Sequence, residues 1–223
     1  MDGEALVNKP PVLLIPGLMA GDWAMRPLAQ RLRSRGYPTY SARIGLNVGC
    51  TTQLVDRLEE RLESIVNEHG EAAAVIGHSR GGTLAKLLTL RRPELVLNLM
   101  GLASPNVNPL AVSRMVLWQL RVLNHLHAAG LRGFLGTDCL TGECASSVRE
   151  AFERPFPSDV PYTVFYSKSD GVVDWQACCD PAAEVIEVRG SHMQLAMNAL
   201  VLQRVVAILD RIASQRPALR RAS

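Results

Sequence analysis

Short, unbroken apolar runs alternate with longer amphipathic stretches along almost the whole chain, and this alternation leaves few folds open. Val12–Pro16 (VLLIP) is an apolar run stopped by Gly17, the pattern of a strand buried on both faces of a parallel sheet. Met25–Arg35 then carries Leu28 and Leu32 at helical spacing and is ended by Gly36. Pro38–Ile44 predicts the next strand, and Thr52–His69 a long helix with Leu54, Leu58, Leu62, Ile65 and Val66 on one face. Ala72–Gly77 (AAAVIG) is a second buried strand, Arg80–Arg91 a helix ended by Pro93, and Val96–Ala103 (VLNLMGLA) a further strand. Strand patterns return at Tyr162–Ser167 and Ala183–Val188, followed by a last helix from about Gln194 to Ala213. Repeated βα units with strands buried on both faces predict an α/β fold built on one doubly wound, mostly parallel sheet.

The rhythm changes between residues 106 and 160. Val112–Ala129 reads as one amphipathic helix, and Gly130–Pro161 mixes Gly, Cys, Pro and short helical pieces. This stretch is expected to form an inserted, mostly helical cap over the carboxyl ends of the strands, where open α/β sheets bind ligands. The whole chain, 1–223, is expected to be a single domain, with 214–223 a flexible basic tail. No internal repeat or low-complexity tract interrupts it.

Charge and cysteine content narrow the classes of function. A net charge of +3, with Arg216, Arg220 and Arg221 gathered near the end, leaves no dense basic face for nucleic acid. No segment has the roughly 18 uninterrupted apolar residues of a membrane span. The polar start MDGEALVNKPP does not resemble a signal peptide, so a cytoplasmic location is expected. Five cysteines, Cys50, Cys139, Cys144, Cys178 and Cys179, then read as mainly free thiols. Cys139 and Cys144 bracket a short loop that invites a local disulfide or a metal pair. Zinc would need two further ligands, and the adjacent Cys178 and Cys179 are poorly spaced to supply them. No cofactor or metal is called for.

GHSRG at Gly77–Gly81 fits G-x-S-x-G. The pentapeptide alone is weak, arising by chance in roughly one chain in twelve of this composition. Its position carries more, because it falls between an apolar strand and a helix, where a sharp turn holds a serine hydroxyl above the sheet. Glycines are needed on each side because a Cβ there would strike the neighbouring strand and helix. Ser79 is therefore the candidate nucleophile, and it needs a base. Of five histidines, His69 ends an exposed helix, His78 points away from the attacking side, and His125 and His127 lie in the cap helix. His192 follows the last strand and precedes the last helix, after an acid in chain order. The acid is expected just after the preceding strand, where Asp170 is followed by a turn-permitting Gly171; Asp174 is the reserve. Two backbone N–H groups would stabilise an oxyanion, one from Arg80 and one from Leu18, with Met19 next in order. The Arg80 side chain is expected to make a structural ion pair at the base of the turn, with binding of an anionic group the alternative.

LLIPGLMAGDWAMRPLAQRL, RIGLNVG, VIGHSRGG, GLASP, YSKSDGVVDW and VRGSHMQLAMN, in that order, resemble small α/β-hydrolase-fold lipases and esterases over nearly the whole chain. The resemblance implies a Ser79–Asp170–His192 triad and an acyl-enzyme mechanism, and the apolar residues of the cap suggest a small, apolar acyl ester as substrate. Two departures stand out. Pro16-Gly17 replaces the HG of many relatives, and Met193 stands where many have glycine, narrowing the expected acyl pocket. Met19, Trp118 and Met193 are candidate pocket residues. Leu117, Leu120, Val122, Leu123 and Leu126 would either line the pocket or pack the cap onto the body. An acyltransferase or thioesterase with the same triad is the alternative, an interfacial lipase with the cap as lid another, and a non-catalytic binding protein on the same fold a further one.

Overall fold

The computed structural model describes residues 9–109 and 111–215. The start and tail expectations for residues 1–8 and 216–223 lie outside them.

Six parallel strands form one sheet: β1 (Val12–Ile15), β2 (Thr39–Ser41), β3 (Ala73–His78), β4 (Val96–Leu102), β5 (Tyr162–Tyr166) and β6 (Glu184–Glu187). Their spatial order is β2-β1-β3-β4-β5-β6. The chain steps one way from β1 to β2, then crosses back and steps the other way from β3 to β6. The order therefore reverses between β1 and β3, and a crevice opens there at the strands' carboxyl ends.

Side chains alternate along each strand and feed two cores. Leu13, Ile15 and Val75 face one layer, packed by Leu58, Leu62 and Ile65 of α2 (Thr51–His69) and Leu84 and Leu88 of α3 (Arg80–Arg91). Val12, Leu14, Ala74 and Ile76 face the other, packed by Leu28 and Leu32 of α1 (Arg26–Arg33) and Val205 and Leu209 of α8 (Ala199–Gln215). Helices on both faces make the sheet doubly wound, as the unbroken apolar runs required.

Between β4 and β5 lie α4 (Arg114–Ala128), α5 (Asp138–Thr141) and α6 (Glu143–Glu153). Backbone bonds tie this region down. Ser113 N–H donates to Val172 O at 2.7 Å, Asp174 N–H to Ala111 O at 3.0 Å, and Leu135 N–H to Val48 O at 2.7 Å. Behind its first residues, buried Lys86 Nζ bonds Asp180 Oδ2 at 2.6 Å and Asn106 O at 3.0 Å, joining α3 to the loops after β4 and β5.

Two boundaries differ from expectation for local reasons. The strand expected over Pro38–Ile44 is only three residues long, because Arg43 (φ 55°) and Gly45 (φ 73°) turn the chain. The helix expected from Gln194 is broken. A single turn, α7 (His192–Leu195), has its own capping box of Ser191 and Gln194, and Asn198 Oδ1 accepts from Leu200 N–H to start α8 afresh. That break makes His192 the first residue of a separate turn.

Candidate active site

Ser79 joins β3 to α3 with φ 53° and ψ −128°, a backbone state that costs a non-glycine residue energy and persists only when its surroundings enforce it. The enforcement is steric. A Cβ on Gly77 would come within 2.3 Å of Gly81 O, and one on Gly81 within 2.3 Å of Ile15 O and 2.5 Å of Pro16 O. The turn, the helix start and the end of β1 are thus in backbone contact. Gly82 is equally constrained, because a Cβ there would meet Ser104 Oγ at 1.9 Å.

Asp170 and His192 come together from the loops after β5 and β6. His192 Nδ1 lies 2.8 Å from Asp170 Oδ2 and 3.0 Å from Oδ1, and both residues are buried. Asp170 Oδ1 also accepts the backbone N–H groups of Val172 at 2.9 Å and Val173 at 2.7 Å. Burial works to raise the Asp170 pKa, but the His192 hydrogen bond and the two N–H groups outweigh it and hold the carboxyl below its ordinary value. An ionised Asp170 can only accept, so the His192 Nδ1 facing it carries a proton. Ser79, His192 and Gly17 line one cleft together.

The other candidates sort themselves by contact. Asp174 Oδ1 accepts from Gln176 N–H at 3.0 Å and so caps a short 3-10 turn, and it makes no hydrogen bond to His192 among the described residues. The His78 ring lies beside that of His192 at a tilt of 48°, centroids 4.8 Å apart, and donates from Nε2 to His192 O at 3.0 Å. Burial, then the neighbouring His192, lowers its pKa to about 4. His125 donates within α4 to Arg121 O, and His69 lies edge-on to Tyr40 at the end of α2.

The N–H of Met19 is already spent on Asn47 O at 3.1 Å, whereas those of Leu18 and Arg80 make no hydrogen bond among the described residues. Asn47, fully buried, was not singled out from sequence, although it lies inside the RIGLNVG segment. Its Nδ2 donates to Pro16 O at 2.8 Å and its Oδ1 accepts from Arg80 Nη1 at 2.7 Å, so one side chain holds the loop after β1 against the start of α3. The ion pair expected of Arg80 is absent among the described residues. Its guanidinium bonds neutral acceptors instead, Asn47 O and Oδ1, Gly49 O and Thr51 Oγ1, and the loss of water around it lowers its pKa to about 10.

Two clefts meet at Ser79 and Leu18. One, of about 580 Å³, runs under the cap past Val112, Val116, Leu120 and Phe152. The other, of about 360 Å³, is rimmed by Met19, Trp23, Met115 and Met193. Met19 and Met193 thus stand at the cleft, but Trp118 does not. It is 63% exposed and lines neither space, because the helical turn that aims Val116 and Leu120 inward aims Trp118 out. Leu120 and Leu123 also pack on Val48 and Leu135. All five cysteines are free, and among the described residues no helix is long and apolar enough to cross a membrane.

No curated protein sequence matches this one. Solved structures do share its fold. They include the mature lipase BlEst2 of Bacillus licheniformis (TM-score 0.69, 15% identity, 91% of this chain and 92% of that one). A monoglyceride lipase from Saccharomyces cerevisiae (0.68, 13%, 95% and 89%) and the 2-hydroxy-6-oxo-6-phenylhexa-2,4-dienoate hydrolase of Rhodococcus sp. strain RHA1 (0.62, 15%, 92% and 92%) are also similar. The sequence model of the alpha/beta hydrolase family matches residues 12–222. A parallel sheet whose order reverses beside a strained Ser79, with that family match over nearly its full length, places the chain in the alpha/beta hydrolase family.

Proposed function

We propose that the protein is a serine hydrolase that cleaves a carboxylic ester by way of an acyl-enzyme. The observation that carries the reading is the buried Asp170–His192 pair, Nδ1 to Oδ2 at 2.8 Å, opening into the cleft that Ser79 lines. Asp170 fixes the imidazole tautomer and stabilises the imidazolium that forms. His192 Nε2 takes the Ser79 proton as Oγ attacks the carbonyl, and the same proton goes to the departing alcohol. Leu18 and Arg80 N–H groups, both unspent, receive the oxyanion. Water, activated by His192, then releases the acid and frees Ser79. The two clefts give each side of the scissile ester a space, and their apolar walls favour apolar groups.

The test is turnover of p-nitrophenyl esters of graded chain length, with fluorophosphonate labelling in parallel. Wild type is expected to label at Ser79 and to turn over. Ser79→Ala or His192→Ala should each lower kcat by about 10⁴-fold or more, and the double variant little further. Equal activity of wild type and Ser79→Ala, or folded protein that resists labelling, would overturn the assignment.

A further inference from the structure

Three thiols separated by up to 94 positions converge beside the start of α3. Cys50 closes the loop ahead of α2, Cys139 lies in α5, and Cys144 in α6. Their sulfurs all lie within 4.8 Å of one another, and those of Cys50 and Cys144 are 3.6 Å apart. Cys144 is buried and the other two are half-buried. Thr52 Oγ1 stands 3.2 Å from the Cys50 sulfur and 3.7 Å from that of Cys144. The Arg80 guanidinium lies beside this cluster, held by Gly49 O and Thr51 Oγ1 on either side of Cys50, with no carboxylate partner among the described residues. A cation withdrawn from water without a counter-ion is costly, and an anion at the neighbouring thiols would offset that cost.

We propose that Cys50, Cys139 and Cys144 form a three-thiolate site for a soft divalent d10 cation, of the Zn²⁺ or Cd²⁺ kind, with Arg80 as its counter-charge. Zinc–sulfur bonds of about 2.3 Å at tetrahedral angles set sulfurs about 3.8 Å apart, which the observed spacing meets with small adjustments. Charge also balances. Three thiols each release a proton, three thiolates on a divalent ion carry one net negative charge, and the guanidinium offsets it. The metal keeps its oxidation state and no redox partner is needed. A fourth position remains for water or Thr52 Oγ1, since zinc prefers four ligands. Cys178 and Cys179 sit elsewhere, at the end of a 3-10 turn, and take no part. Because Cys50 belongs to the sheet body while Cys139 and Cys144 belong to the cap, the ion would fasten one to the other, next to the larger cleft that Cys139 lines.

Titration of the reduced, metal-free full chain with Cd²⁺, followed by sulfur-to-cadmium charge-transfer absorption, tests this. Saturation at one ion per chain is expected, with proton release and a rise in Tm, and Cd²⁺ should displace Zn²⁺ from a chain loaded with zinc first. Cys50→Ser, Cys139→Ser or Cys144→Ser should each abolish the one-to-one saturation, and the Cys178→Ser/Cys179→Ser double variant should keep it. In case a serine variant fails to fold, wild type supplies its own control. Cd²⁺ should shield Cys50, Cys139 and Cys144 from an alkylating reagent, read by peptide mass, and leave labelling of Cys178 and Cys179 unchanged. Absence of stoichiometric uptake, saturation that survives in Cys50→Ser, or shielding confined to Cys178 and Cys179 would overturn the proposal.

Discussion

Nine of the twelve residues of α3 are buried, against one of the fifteen in α4. The two helices belong to regions built on different principles. The body around α3 fixes each atom near Ser79 by backbone contacts that no side chain could enter. α4 itself rests on a small cluster of Val48, Leu123 and Leu135 and on a few backbone bonds, while α6 packs Val148, Ala151 and Phe152 against the core of the body. The lesson concerns the division of labour. Strain at Ser79 persists because the dense body over-determines it, whereas α4 is held by far fewer buried contacts.

The largest expected contrast between the regions uses one substitution in each. Gly81→Ala drives a Cβ to within 2.3 Å of Ile15 O, where only backbone can yield. It should destabilise the fold by about 3 kcal/mol or more. Gly130→Ala, at the end of α4, meets nothing within 4 Å and pays only for its φ of 87°. Its cost should be about 1 kcal/mol. Urea unfolding of the two variants gives the comparison directly, and similar losses at both sites would show that the body is not the more tightly determined region.

A smaller effect separates the regions by pH. His78, in the body, has a pKa of about 4 where an ordinary histidine has 6.5. Its folded value lies below its unfolded one, so between those pH values the unfolded chain holds a proton that the folded chain does not. Stability from this group is therefore complete above about pH 6.5 and falls as pH drops toward 4, by at most about 3 kcal/mol. Asp170 acts separately, because its depressed pKa removes stability only on acidification below the ordinary aspartate range. His78→Gln, which keeps a donor for His192 O, should flatten the stability profile between pH 6.5 and 4. A variant with the wild-type slope would assign the sensitivity elsewhere.

The same contrast explains what the sequence disclosed. β1, β3 and β4 are legible because strands buried on both faces must be continuously apolar. The positions of Ser79 and Asp170 are legible because each follows a buried strand, whereas His192 follows β6, a mostly exposed edge strand, and is legible only from its place before the last helices. Asn47 and the Arg80 partners are not. They are polar contacts between segments about 30 positions apart, with no periodicity to betray them, and the expected ion pair proved to be four neutral acceptors. The convergence of Cys50 on Cys139 and Cys144 was hidden for the same reason. In the cap, amphipathicity predicted a helix but not its rotation, because α4 leaves apolar residues such as Met115 and Trp118 on its exposed side.

That rotation gives the finest test of the comparison. Val116 lines both clefts, while Trp118, two residues on and roughly 200° around the helix, lines neither. Trp118→Ala should change stability by less than about 0.5 kcal/mol and leave the chain-length profile on p-nitrophenyl esters where it was. Val116→Phe should leave stability nearly as little altered, since its cleft is open, yet shift the preferred ester toward shorter chains by filling the space beside Ser79. The pair therefore asks whether the cap selects substrate through its inward face alone. A profile that moves in Trp118→Ala and not in Val116→Phe would mean that α4 presents its other side to Ser79, and that the cap is rotated relative to the body on which it rests.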